Sequence, residues 1–236
     1  MVKILSVDWD YFFPDTFPFD WGHRENVFMC EAIWNFRITS RNLLTKARAI
    51  DVFRPRKRDL ETFWESIYPT TRPEPLSLCI TESHRDLYTY LKWINRQFKV
   101  EIEVFNFDAH HDIHYGQKDE PECGNWVVRS YIDNLLQKYT LIYPRWRLHS
   151  AEGFGTDFEY DRYFKIPDVL PSFQFVFICR SSAWTPPWYD HKWLEFVKHW
   201  ERYEDLWENK ITIPEVLKAR QPDMKQAIQI SRERGW

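Results

Sequence analysis

The chain reads as short apolar runs separated by longer amphipathic stretches. Val2 to Val7, Leu76 to Ile80, Val100 to Phe107, Tyr139 to Tyr143 and Phe173 to Cys179 are rich in β-branched and aromatic residues, the pattern of buried strands. Between them the period changes. Leu87, Leu91, Ile94 and Phe98 recur at helical spacing, as do Val128, Tyr131, Ile132, Leu135 and Leu136 behind a Gly124-Asn125 start signal. Trp193, Phe196, Val197 and Trp200 mark another helical face, and Ser40 to Ile50 and Asp59 to Ile67 read as helices with Ser and Asp at their N-caps. Strand then helix, repeated, predicts parallel βα units and an α/β fold. Pro69 to Pro75 reads as a turn-rich connector, Ala151 to Pro171 as a polar, aromatic loop or insertion, and Ile213 to Trp236 as one or two surface helices around Pro222. No internal repeat divides residues 1–236, and one domain is expected.

The chemistry gathers where strands end. The first run closes on Asp8-Trp9-Asp10, the second passes through Thr81 and Glu82 to His84, and the third delivers Asp108-Ala109-His110-His111-Asp112. In an open parallel sheet these positions lie at the carboxyl edge, where ligands bind. A spacing of two in extended backbone directs Asp108, His110 and Asp112 to one side, and Asp8 and Asp10 likewise. Carboxylates crowded together raise one another's pKa unless positive charge compensates. Divalent cations supply that charge, and mixed oxygen and imidazole donors suit manganese, iron or zinc. A pair of cations also makes bound water acidic enough to be a nucleophile at neutral pH. The metal-ligand set expected is therefore Asp8, Asp10, His84, Asp108, His110 and Asp112.

A formal net charge of -3 gives no overall basic field, so nucleic-acid binding through charge is not expected. No apolar stretch approaches the roughly 20 residues of a membrane helix, and the opening run is too short for a secretory signal. A cytoplasmic protein with no membrane partner is expected. Cys30, Cys79, Cys123 and Cys179 lack metal-finger spacing and read as reduced, mostly buried thiols. Aromatic residues reach 18%, with 13 Trp, and several fall in polar or Pro-rich segments such as Trp184-Thr185-Pro186-Pro187-Trp188-Tyr189. Such rings either line a groove for an extended peptide or cover the core. Trp184 and Trp188 are carried as substrate-contact candidates.

At the motif residues the chain resembles the arginase/deacetylase (ureohydrolase) superfamily. The resemblance rests on the Asp108-Ala109-His110-His111-Asp112 strand end, on Ser6-Val7-Asp8-Trp9-Asp10, and on a separate His after a strand, here His84. It implies a three-layer α/β/α fold with a mostly parallel sheet, two Mn2+ per chain, and hydrolysis of a guanidinium group to urea plus an amine. Two departures stand out. The Asp-x-Asp segment opens the chain instead of following Asp-Ala-His-x-Asp, as if strand order were rearranged. The usual Gly-Gly-Asp-His-Ser is here Thr81-Glu82-Ser83-His84-Arg85. These point away from enzymes of free arginine and towards the peptide arginases, which form ornithine in ribosomally made precursor peptides.

That reaction needs a proton for the leaving amine, for which His111 and His114 are the candidates. It also needs a carboxylate to hold the substrate guanidinium, and Glu82 and Glu152 are the candidates. Three other readings stay open: a haloacid dehalogenase-type phosphatase using Asp8 and Asp10, a single-zinc deacetylase, and a non-catalytic peptide-binding protein with a structural metal.

Overall fold

The computed structural model describes residues 1–14, 27–39, 53–68, 75–113, 119–149, 159–202 and 210–233. The strands are β1 (Val2–Asp8), β2 (Ser77–Thr81), β3 (Ile102–Phe107), β4 (Lys138–Ile142), β5 (Asp161–Tyr163), β6 (Phe175–Cys179) and β7 (Lys210–Thr212). They form one sheet in the order β5-β4-β3-β1-β6-β2-β7, and every neighbouring pair is parallel. The helices are α1 (Val27–Thr39), α2 (Lys57–Ile67), α3 (Asp86–Phe98), α4 (Trp126–Ile132), α5 (Asp190–Val197) and α6 (Met224–Glu233). They cover both faces, so the fold is the expected three-layer α/β/α.

Strand alternation divides the interior into two cores. Leu5, Val7, Leu78, Ile80, Val176 and Ile178 face one side and pack with Trp34, Phe63, Trp193, Phe196 and Ala227 from α1, α2, α5 and α6. Ile4, Cys79, Ile102, Val104, Phe175 and Phe177 face the other and pack with Leu87, Leu91, Ile94, Trp126 and Val127 from α3 and α4. Burial on both faces is why the strands read as nearly unbroken apolar runs. The aromatic excess is largely core: Trp9 is fully buried and meets Phe12, Phe13, Trp193 and Phe196 at ring-centroid distances of 5.2 to 5.7 Å.

Several expectations need correction. The helix placed at Asp59 begins at Lys57, with Arg56 at the N-cap and Asp59 in the first turn, where a carboxylate favours the helix dipole without capping it. The helix expected through Leu136 stops at Ile132; Asn134 turns the chain with φ 55°, and Leu135 and Leu136 stay buried from the loop. The face at Trp193 to Trp200 is an α-helix to Val197 followed by a 3-10 turn. Inside the supposed 151–171 loop lies β5, whose exposed Asp-Arg-Tyr sequence carries no apolar pattern because it is an edge strand. Strand β7 and helix α1 were not anticipated. The helix expected at Ser40 to Ile50 and most of the Pro69 to Pro75 connector lie outside the described residues.

Candidate metal centre

Strand β1 lies at the centre of the sheet, between β3 and β6, and its carboxyl end opens onto the site. Asp8 is its last residue. The chain then enters a 3-10 turn, Trp9–Phe12, in which Asp8 Oδ1 accepts the Asp10 N–H at 2.9 Å. Asp10 is thus delivered by a turn and not by extended backbone. On β3, Asp108 follows the strand end and accepts the backbone N–H of His110 at 2.7 Å and Asn106 Nδ2–H at 3.0 Å. The loop curls onward to Asp112, which sits in the left-handed region at φ 53°. Trp126 Nε1–H donates to Asp112 Oδ2 at 2.8 Å, and Val127 N–H to its carbonyl at 3.3 Å. These bonds hold a conformation that costs a non-glycine residue about 1–3 kcal/mol.

The expectation that spacing by two would send Asp108, His110 and Asp112 to one side is therefore corrected. His110 and Asp112 flank Asp108. Two donor groups share it: Asp10, Asp108 and His110 form one, and His84, Asp108 and Asp112 the other. His84 comes from the β2–α3 loop and lies over Phe177 of β6, with ring centroids 5.8 Å apart and nearly parallel. Its Nδ1 is 2.9 Å from Asp112, 3.0 Å from Asp108 and 3.3 Å from Asp8. One nitrogen carries at most one proton, so three oxygens around it describe a place for a cation better than a set of hydrogen bonds. Nε2 faces Ser6 Oγ at 3.0 Å, which fixes the ring and turns Nδ1 inward. On the other flank His110 Nδ1 approaches Asp10 Oδ2 to 2.8 Å without the alignment of a hydrogen bond, and that oxygen is buried. These buried carboxylates and imidazoles could hold metal ions.

The electrostatics of the site follow from this crowding. Burial, helped by Asp10 and Asp108, pushes Asp8 up to about 7. Burial, with Asp112 and Asp10, does the same to Asp108. Asp10 is also buried, but His110 outweighs that effect and holds it below the ordinary carboxylate range. Burial disfavours charge on both imidazoles. The nearby carboxylates of Asp108, Asp112 and Asp8 nonetheless raise His84 well above its usual value, and Asp10 and Asp108 raise His110 to about 10. A cation bound among these groups would compete with their protons.

The remaining expected residues fare differently. Glu82 is buried, but the guanidinium it holds is the chain's own: Arg180 Nη2 lies 2.6 Å from Glu82 Oε2. It is a brace and not a partner for substrate. His111 is buried beside the site, with Nδ1 accepting the Ile113 N–H at 3.1 Å. His114 and Glu152 lie outside the described residues. The aromatic loop has three fates. Trp184 is half-buried with its ring 5.4 Å from that of His110. Trp188 is buried in the core against Trp34 at 5.4 Å, which removes it as a substrate contact. Tyr189 lines a cleft of about 1120 Å³ together with Trp64, Phe196 and His199, and none of the six expected metal-ligating residues lines it.

Sequence reading missed the contribution of β6. Ser181, at φ 48°, donates its hydroxyl to Asp8 Oδ2 at 2.5 Å, and Arg147 Nε–H donates to the Ala109 carbonyl at 2.5 Å beneath the His110 loop. No motif flags either; only the placement of β6 between β1 and β2 brings Ser181 to Asp8. No family model, curated protein or solved structure matches the chain. No described helix is long and apolar enough to cross a membrane.

Proposed function

We propose that the chain is a metal-dependent hydrolase that converts peptidyl arginine to ornithine, releasing urea, with two manganese ions per chain. The observation that carries the reading is the sharing of Asp108 by two donor groups, His84 with Asp112 on one flank and Asp10 with His110 on the other. Cations held by these residues would make bound water acidic enough to attack at neutral pH. The guanidinium assignment rests on the resemblance of Ser6 to Asp10 and Asn106 to Asp112 to ureohydrolase motifs. Its partner is an arginine-containing precursor peptide, met in the cytoplasm.

The chain's residues position this chemistry. Ser6 keeps His84 turned, Ser181 holds Asp8, and Trp126 holds Asp112. His110, with 18% of its side chain exposed while Asp10 beside it has 5%, marks the side from which substrate approaches. Trp184 stands beside it and offers a flat ring to a planar cation. Hydrolysis adds water across one guanidinium C–N bond; the carbon leaves in urea, and the departing nitrogen takes a proton as the ornithine amine. A phosphatase using Asp8 as nucleophile is the weaker reading, because Asp8 Oδ2 is already held by Ser181 at 2.5 Å and faces His84 at 3.3 Å.

The test is metal analysis of manganese-loaded protein together with urea release from arginine-containing peptides. About two ions per chain and urea are expected, and Asp108→Asn abolishes both. A single ion with acetate release from acetylated peptides, or phosphatase activity that survives His110→Ala, overturns the reading.

A further inference from the structure

Cys179 ends β6, and parallel pairing sets it beside Asp8 of β1 and Thr81 of β2. One donor atom each from Asp8, His84 and Cys179 lie within 4.8 Å of one another. All three side chains are buried, Cys179 completely. A buried cysteine is ordinarily a small apolar filler. This one has polar company: its sulfur is 3.5 Å from Ser181 Oγ, whose own hydrogen goes to Asp8 Oδ2 at 2.5 Å. The Cys179 S–H is therefore the donor to Ser181, and a continuous polar chain joins the thiol to the carboxylate cluster.

We propose that Cys179 is a sulfur donor to the cation on the His84 flank. The inference rests on the two-cation reading above and refines it. The two positions become chemically unlike: the Asp10, Asp108 and His110 flank offers only oxygen and nitrogen, whereas the His84 flank adds a thiolate. Soft donors favour zinc, iron or cobalt, so the His84 flank holds these more tightly than manganese, which it still binds through its oxygen and nitrogen donors. On binding, the S–H bond breaks, sulfur bonds the cation, and the proton leaves to solvent.

The test uses the full chain loaded separately with zinc and with cobalt(II). X-ray absorption of the zinc form is expected to contain a sulfur shell at about 2.3 Å beside the nitrogen and oxygen shell at about 2.0–2.1 Å, amounting to one sulfur for each pair of ions. The cobalt form is expected to absorb in the near ultraviolet through sulfur-to-cobalt charge transfer. Cys179→Ser removes both signals while two ions still bind, and it lowers zinc affinity more than manganese affinity. Because a change at a fully buried position can unfold the chain, the unaltered protein's spectra carry the test by themselves, and Cys123→Ser, at a less buried position, keeps the cobalt band. Two bound ions with only nitrogen and oxygen neighbours overturn the assignment of Cys179 and leave the paired centre standing. Protein that binds no divalent ion overturns both.

Discussion

Two buried charge clusters meet at the carboxyl ends of β2 and β6, and they are built on opposite terms. In the first, Glu82 and Asp190 face Arg180 and Arg220: Arg180 Nη2 is 2.6 Å from Glu82, and Arg220 Nη2 is 2.7 Å from Asp190 Oδ1. Arg220 Nε and backbone N–H also reach Asp190 Oδ2, at 2.9 and 2.7 Å. Two carboxylates meet two guanidiniums, and the remaining donors find the backbone carbonyls of Lys218, Ser182 and Thr185. In the second, Asp8, Asp10, Asp108 and Asp112 face the imidazoles of His84 and His110. A chain that neutralises Glu82 and Asp190 with arginine keeps the adjacent cluster rich in acid. The first cluster is closed and braces the loops; the second is open to positive charge from outside.

The comparison breaks first at Asp190. Asp190→Ala leaves Arg220, and part of Arg180, buried without a counter-charge, and an expected loss of about 3–5 kcal/mol follows. Urea denaturation should report it equally with and without metal. A loss that disappears on metal loading would mean that the two clusters are not separate.

Next in size is the response of the open cluster to cations. Saturation to about a hundredfold over the dissociation constant should add about 2.7 kcal/mol per site, readable as a rise in Tm that a chelator reverses. The sign of the pH dependence follows from the shifts. Asp8 and Asp108 are raised by burial and neighbouring carboxylates from 3.8 to about 7, so the native cation-free protein keeps protons that the unfolded chain has released. Its stability therefore falls as pH rises from about 4 through about 7. His110, raised from 6.5 to about 10 by Asp10 and Asp108 against the effect of burial, contributes stability below 6.5 that is lost as pH climbs towards 10. Thermal melts across this range should slope downward without metal and flatten with it. Equal slopes would remove the electrostatic basis for cation binding.

Ser6→Ala sharpens the contrast further, since it touches one ring nitrogen of one donor. With His84 free to turn, cation affinity should drop about 10–100-fold, measurable by calorimetric titration. An unchanged affinity would show that packing between Phe177 and Trp126 alone holds the ring. The smallest effect is expected at Trp184, at the rim. Trp184→Ala should raise KM for an arginine peptide by the equivalent of about 0.5–2 kcal/mol and leave kcat and Tm unchanged. A fall in kcat at constant KM would instead place its role at the His110 ring.

The amino-acid sequence determined the strands that build the sheet interior and the residues with ligand chemistry, because both are local. A strand buried on both faces must be apolar along its length, and Asp8, Asp10, Asp108, His110 and Asp112 follow such strands directly. Edge strand β5 escaped because exposed backbone pairing imposes no hydrophobic pattern. The division of labour around Asp108 was also hidden: a 3-10 turn at Trp9 and a left-handed Asp112, not extended backbone, send the donors to two flanks. Glu82 looked the same in sequence whether it faced a substrate or Arg180, and only the fold decided. Sheet order lies furthest beyond local pattern. It is set by the packing of helices between strands, and by putting β6 between β1 and β2 it brought Cys179 and Ser181 to Asp8, more than 170 positions away.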